Sequence, residues 1–218
     1  MVKIFVFKIK KKKISLKEEK KMLQFLSLEE IERLDELKSK KSKLLYLYSR
    51  FLIRKIIANF LVVPSKEIFF LKDNFGKLRL KKPVVKNFDF SLSYCKEYIV
   101  LALSDKPIGV DIEKRQKKDL SRLIPIGFHP EELNYLKQLE SFKRKEISLA
   151  LWVLKEAYVK ALGLGSLLPF NSFCFVIKSK SIFLKKRRKK WKFNIFNIEN
   201  HKLAVCFQGG GLPELNFY

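Results

Sequence analysis

Three carboxylates stand in two short stretches of an otherwise basic chain. Asp111 and Glu113 lie in I-G-V-D-I-E (108–113), and Glu156 lies in W-V-L-K-E-A-Y-V-K-A-L-G (152–163). Residues two apart on a strand share a face, so Asp111 and Glu113 project together. Residues four apart on a helix share a face, so Trp152, Glu156 and Lys160 form one stripe, with Lys155 beside it. If that helix packs across the strand end, Glu156 joins the other two acids. Carboxylates brought together repel unless a cation lies between them. All-oxygen ligation suits a hard divalent ion, Mg²⁺ or Mn²⁺, that keeps phosphate oxygens and water in its shell. Lys160, one turn beyond Glu156, would then meet a phosphate. A metal beside a lysine suits cleavage of a pyrophosphate link. The same spacing also describes an ordinary Glu156–Lys160 surface pair near an acidic strand end, and the pattern by itself leaves both readings open.

The positioning elements follow from periodicity and punctuation. Residues 2–9 alternate as a strand, and Lys10 to Lys13 form a basic turn. Ser27 with Glu30 is a capping box opening a helix to about Leu37. Residues 42–62 form a longer, mostly apolar helix stopped at Pro64. Strands are predicted over 67–72, 88–93, 98–104 and 108–113, with a turn at 73–76. His129-Pro130-Glu131-Glu132 starts another helix. The strongest helix spans about 144–162 and ends at Gly163. Residues 170–177 and 191–198 bracket the run K-K-R-R-K-K (185–190) as a hairpin, and 202–207 close as a strand. Each half thus reads as strands plus about two helices, with a seam near residues 105–108. The expectation is an α+β fold of two similar lobes, residues 1–105 and 106–218, although no repeat is legible residue by residue.

Lys and Arg number 47 against 22 Asp and Glu, a net charge of +25 over 218 residues. That surplus favours anionic partners: nucleic acid, anionic lipid, a phosphorylated cofactor or an acidic protein. Part of it accompanies a Lys-, Phe-, Ile- and Asn-rich composition of the kind A+T-rich genomes encode. No apolar run is long enough to span a bilayer, and the N-terminus does not read as a signal peptide. Cys95, Cys174 and Cys206 suggest neither a disulfide framework nor a zinc site, which points to a reduced, cytoplasmic protein.

The two-part motif closely resembles the signature of the Sfp-type 4′-phosphopantetheinyl transferases, G-[IV]-D-[IV]-E followed by W-x-x-K-E-[AS]-x-x-K. Phe75-Gly76-Lys77, the strand F-D-F-S-L-S (88–93), F-H-P-E-E (128–132), G-S-L-L-P-F (165–170) and K-L-A-V-C (202–206) extend the likeness over most of the chain, in order. The resemblance implies transfer of the phosphopantetheine arm of coenzyme A to a serine of an apo carrier protein, releasing adenosine 3′,5′-bisphosphate. It implies two α+β lobes with coenzyme A and Mg²⁺ between them, a monomer as for two-lobed members, and an acidic acyl or peptidyl carrier as partner. Asp111, Glu113 and Glu156 would bind the metal. Glu156, or a water it orients, would deprotonate the serine, and Lys160 would neutralise phosphate charge. Lys155 would assist. Lys77 and Ser91 would hold the 3′-phosphate end, with Arg33 at a family lysine position and Arg50 and Arg54 on the next helix. Glu132 is a lesser candidate.

Two departures stand out. The family's histidine between the two serines is Leu92 here, and a family lysine corresponds to Glu30. Both predict weaker coenzyme A affinity. The basic runs suit either solvated turns or a rim that attracts an acidic carrier. The competing function is nucleic-acid binding through 185–190 and Trp191, and a third is attachment to anionic membrane. A nucleic-acid module would gain nothing from three clustered carboxylates.

Overall fold

The computed structural model describes residues 1–9, 14–115, 120–179, 181–185 and 191–218. Both halves follow one plan. In the first, β1 (Val2–Lys8) pairs antiparallel with β5 (Tyr98–Ser104), and β5 with β4 (Asp89–Tyr94). In the second, β6 (Ile108–Lys114) pairs antiparallel with β10 (His201–Gln208), and β10 with β9 (Trp191–Ile198). A 22-residue helix lies between first strand and sheet closure in each: α3 (Lys40–Leu61) and α6 (Ser141–Leu162). Each long helix is followed by a small hairpin, β2 (Phe69–Lys72) with β3 (Leu78–Lys82), and β7 (Phe175–Lys178) with β8 (Ser181–Leu184). Short helices α1 (Leu16–Leu23) and α2 (Leu28–Glu36) precede α3, as α4 (Leu120–Leu123) and α5 (Pro130–Lys137) precede α6. The expected α+β fold of similar lobes is the fold observed. One strand crosses over: β11 (Glu214–Phe217) pairs parallel with β1, and Tyr218 beyond it stacks on Phe7 at 5.0 Å between centroids.

Local chemistry sets the boundaries. Ser27 Oγ accepts from the Glu30 amide at 3.3 Å while Glu30 Oε2 accepts from the Ser27 amide at 3.0 Å, the predicted capping box. Ser15 and Glu18 repeat it and start α1, a helix the sequence reading passed over although its signature is identical. α6 ends where Gly163 turns left-handed at φ 68°. Its inward face, with Leu154, Ala157, Tyr158 and Ala161 buried, packs on β6 and β10.

Gly109 lets that packing close. A Cβ there would sit 1.9 Å from the Ala157 carbonyl oxygen and 2.4 Å from the Ala161 nitrogen. Both obstacles are helix backbone and cannot swing aside. Gly109→Ala should therefore cost about 3 kcal/mol or more, read as a lower denaturant midpoint. An unchanged midpoint would mean the helix does not press on β6 here.

The predicted hairpin of 170–177 with 191–198 does not form. Residues 170–172 make a 3₁₀ turn, β7 pairs with β8, and β9 pairs with β10. Ser181 to Leu184 is itself a strand, and it lies far nearer to β7 in sequence than β9 does, so pairing with it closes the shorter loop. Trp191 packs edge-on against Tyr158 at 5.5 Å, so it belongs to the core and is no free stacking platform. Lys10 to Lys13 and residues 186–190 lie outside the described residues; Lys185 pairs with Glu131. No helix among the described residues is long and apolar enough to cross a membrane.

The seam is stitched by side chains. Asp89, Ser91 and Ser93 share one face of β4 and accept from the amides of Ile108, Val110 and Ile112 of β6 at 3.0, 3.1 and 3.3 Å. A buried strand edge needs partners for its N–H groups, and three polar side chains at period two supply them. Phe90, between them, faces the first core with Leu101 and Leu103.

At the far end of the seam His201 is 1% exposed, edge-on to Tyr98 at 4.9 Å, with no hydrogen bond to either ring nitrogen. Burial holds its pKa below the ordinary histidine value, against the pull of Glu97. The unfolded chain then binds the proton first on acidification. This contribution to stability is full above about pH 6.5 and is lost as pH falls below it. Denaturation from pH 7 to 5 should show wild type losing stability faster than His201→Phe; parallel curves would exclude His201 as the cause.

Candidate active site

A cleft of about 830 Å³ opens between the halves. Trp152, Glu156 and Lys160 of α6 form one wall. Arg33 of α2, Tyr46 and Arg50 of α3, Phe75 to Lys77, Ser91 and Leu92 line the cleft as well. The stripe predicted from four-residue spacing is therefore real and faces the cleft.

Lys160 Nζ donates to Asp111 Oδ1 at 2.6 Å and reaches Ser93 Oγ at 3.4 Å. Ser93 donates to the same Asp111 oxygen at 2.9 Å, while Asp111 Oδ2 is buried with no hydrogen-bond partner. Burial and then the Asp111 charge push the Glu113 carboxyl up to about 7, with Lys160 opposing and Glu156 adding. Burial, then Asp111, also raises Glu156. For Lys160 burial pulls downward, but Asp111, with Glu156 and Glu113, outweighs it and holds the ammonium above its ordinary range. The charges of Asp111 and Glu156 thus both act on Glu113, and that of Asp111 acts on Glu156.

Among the described residues no three His, Cys, Asp or Glu side chains stand converged as a metal cage. The cationic charge at Asp111 is supplied by Lys160. The donor chemistry nevertheless fits a hard divalent ion: a buried, orphaned Asp111 oxygen beside two carboxyls raised by burial and mutual repulsion.

The basic residues divide sharply. Arg33 lines the cleft and pairs with Glu36 at 2.6 Å. Arg50 lines it, buried. Arg54 does not: its Nε and Nη2 hold Glu30 Oε2 at 3.1 and 2.7 Å, and Nη1 donates to the Ile68 carbonyl. Lys77 lines the cleft, but its ammonium turns inward to Asp89 at 2.8 Å and the Ile108 carbonyl at 3.1 Å. Ser91 lines it with its oxygen accepting from Val110, which leaves the hydroxyl proton to donate. Lys155 corrects the sequence reading outright. It is 0% exposed and donates to the carbonyls of Phe170 and Phe173 at 2.6 and 2.8 Å, paired with Glu132 at 2.9 Å. Glu132 in turn accepts from the Phe175 and His129 amides at 2.7 and 2.9 Å. Lys155 and Glu132 are a buried brace, and neither lines the cleft.

Sequence reasoning missed Ser93, Asp89 and Tyr46. The alternation D-F-S-L-S carried a signal for the first two, since three polar residues at period two imply a polar partner. Tyr46 carried none.

The 4′-phosphopantetheinyl transferase superfamily profile matches residues 107–206, and the 4′-phosphopantetheinyl transferase N-terminal profile matches residues 12–106. The chain belongs to the 4′-phosphopantetheinyl transferase superfamily, and within it to the Sfp type. It is 32% identical over 165 residues to the 4′-phosphopantetheinyl transferase gsp of Aneurinibacillus migulanus, covering 73% of this chain and 67% of that one. It is 28% identical over 197 residues to a Bacillus subtilis 4′-phosphopantetheinyl transferase, covering 88% and 87%. With the Sfp enzyme of Bacillus subtilis strain 168 it shares 24% over 205 residues, covering 92% and 90%. A holo-(acyl-carrier-protein) synthase structure from Bacillus anthracis aligns at a TM-score of 0.41 and 22% identity, over 46% of this chain and 93% of its own.

Proposed function

We propose that this enzyme moves the 4′-phosphopantetheine arm of coenzyme A onto a serine of an acidic apo acyl or peptidyl carrier protein, with adenosine 3′,5′-bisphosphate as leaving product. The observation that carries this reading is the coupled set Asp111, Glu113, Glu156 and Lys160, of which Glu156 and Lys160 line a cleft that Arg33 and Arg50 also line. Asp111, Glu113 and Glu156 are the residues that would hold Mg²⁺, or Mn²⁺. That ion, when bound, offsets charge on the pyrophosphate.

The chain's own groups account for the rest. Glu156, its basicity raised by burial, takes the proton from the carrier serine oxygen, directly or through one water. The serine oxygen then bonds to the phosphorus bearing the pantetheine arm, and the bond from that phosphorus to the bridging oxygen breaks. Lys160, held cationic by its acidic neighbours, steadies the charge left on the departing phosphate. Ser93 fixes Asp111, and Ser91, Arg33 and Arg50 serve the adenosine end. The cleft draws its walls from both halves of one chain, which supports a monomer. Free Cys95, Cys174 and Cys206 support a reducing, cytoplasmic setting.

The test is the intact mass of an acidic apo carrier incubated with the enzyme, coenzyme A and Mg²⁺. One phosphopantetheine increment, abolished by chelation, is expected. No increment with several carriers would reject the reading.

A further inference from the structure

Three of the basic side chains expected to serve coenzyme A are already spent on internal partners: Arg54 on Glu30, Lys77 on Asp89, Lys155 on Glu132. Arg50 is not. Its side chain is only 10% exposed, it lines the cleft, and its Nε and Nη1 have no hydrogen-bond partner. The nearest acid, Glu30, lies 3.8 Å from Nε, beyond hydrogen-bond reach, and Glu30 Oε1 is itself unpartnered. Tyr46 packs under the guanidinium, 4.9 Å from ring centre to Cζ. Two arginines thus share one carboxylate, and Arg54 holds it with two nitrogens. The surplus positive charge is buried in the lining of the cleft and short of acceptors. Such a group is costly unless a ligand completes it. A planar guanidinium with free N–H groups fits the oxygens of a phosphate monoester.

We infer that Arg50 is the phosphate anchor of the cleft and that Glu30 positions it while competing with the ligand for it. On the coenzyme A reading above, on which this identification of the ligand rests, the phosphate held is the 3′-phosphate. Arg50 would then supply the recognition that Leu92 cannot and that Lys77, turned inward, does not. Arg50 contacts ligand; Glu30 acts through Arg50.

Calorimetry with adenosine 3′,5′-bisphosphate and adenosine 5′-monophosphate tests this without any transfer step. Wild type should prefer the bisphosphate by about tenfold to a hundredfold, the range for a charged hydrogen bond. Arg50→Met should erase the preference, Arg50→Lys should restore part of it, and Glu30→Gln, which removes the competing charge, should increase it. A preference that survives in Arg50→Met, or falls in Glu30→Gln, overturns the assignment. So does a wild type that does not distinguish the two nucleotides. If neither nucleotide binds, the coenzyme A reading fails, and the anchor is read from melting in inorganic phosphate. Stabilisation of wild type but not of Arg50→Met then upholds the phosphate site, and equal curves reject it. Should Arg50→Met not fold, Arg50→Lys and Glu30→Gln carry the comparison.

Discussion

Glu156→Gln should lower the rate of carrier modification by about 10²- to 10⁴-fold, the usual loss with a general base, and leave the fold intact. Glutamine keeps the shape and the acceptor oxygen but neither the charge nor the basicity. Glu156 also contributes to the repulsion that raises Glu113. Removing one of the mutually repelling acids should hold the melting temperature steady or lift it slightly. Loss of activity with equal or greater stability separates a chemical role from a structural one. The measurement pairs the initial rate, by intact mass of the carrier, with a thermal melt of the same preparation. A variant at full rate would remove Glu156 from the chemistry. A variant that melts early would place it among the structural residues.

Lys155→Ala should do the opposite. The substitution strands Glu132 as a buried, unpaired carboxylate and leaves the Phe170 and Phe173 carbonyls without their donor. Breaking a buried pair costs about 3–5 kcal/mol, which for a chain of this size lowers the melting temperature by roughly 6–20 °C. Among molecules still folded, KM for coenzyme A should change little, because Lys155 does not line the cleft. Replacing both partners, Lys155→Met with Glu132→Gln, should recover much of the loss, since no lone charge remains. A Lys155→Ala protein of normal stability and weakened coenzyme A binding would restore the phosphate role that the motif suggested.

That contrast shows where sequence reading works. Gly163 ends a helix, Ser27 with Glu30 begins one, and I-G-V-D-I-E is a strand, because each depends on neighbours within a few residues. The stripe of Trp152, Glu156 and Lys160 was legible for the same reason: helical geometry is local and periodic. Which strand pairs with which is not local, so β8 was overlooked and β9 was assigned the wrong partner. The direction of a basic side chain is not local either. Arg54 finds its acid 24 residues away and Lys77 finds its own at 12, and residue type reveals charge but not counter-ion. The approach of β6 to α6 was likewise beyond spacing; the resemblance of the whole motif supplied it.

The repeated plan offers a second place where a reacting centre could have formed. Counted from the first residue of each element, β1 puts Phe5 and Phe7 where β6 has Asp111 and Glu113. In the same count α3 puts Lys55 and Asn59 where α6 has Glu156 and Lys160. Those four residues do line a groove of about 360 Å³, and Tyr218, brought there by β11, lines it too. Aromatic rings and an ammonium cannot gather a cation, and the Tyr218 ring lies over Phe7. Among the described residues the architecture is duplicated while the clustered acids stand in one half. On the proposed reading the aromatic counterpart is released from catalytic constraint and serves as support.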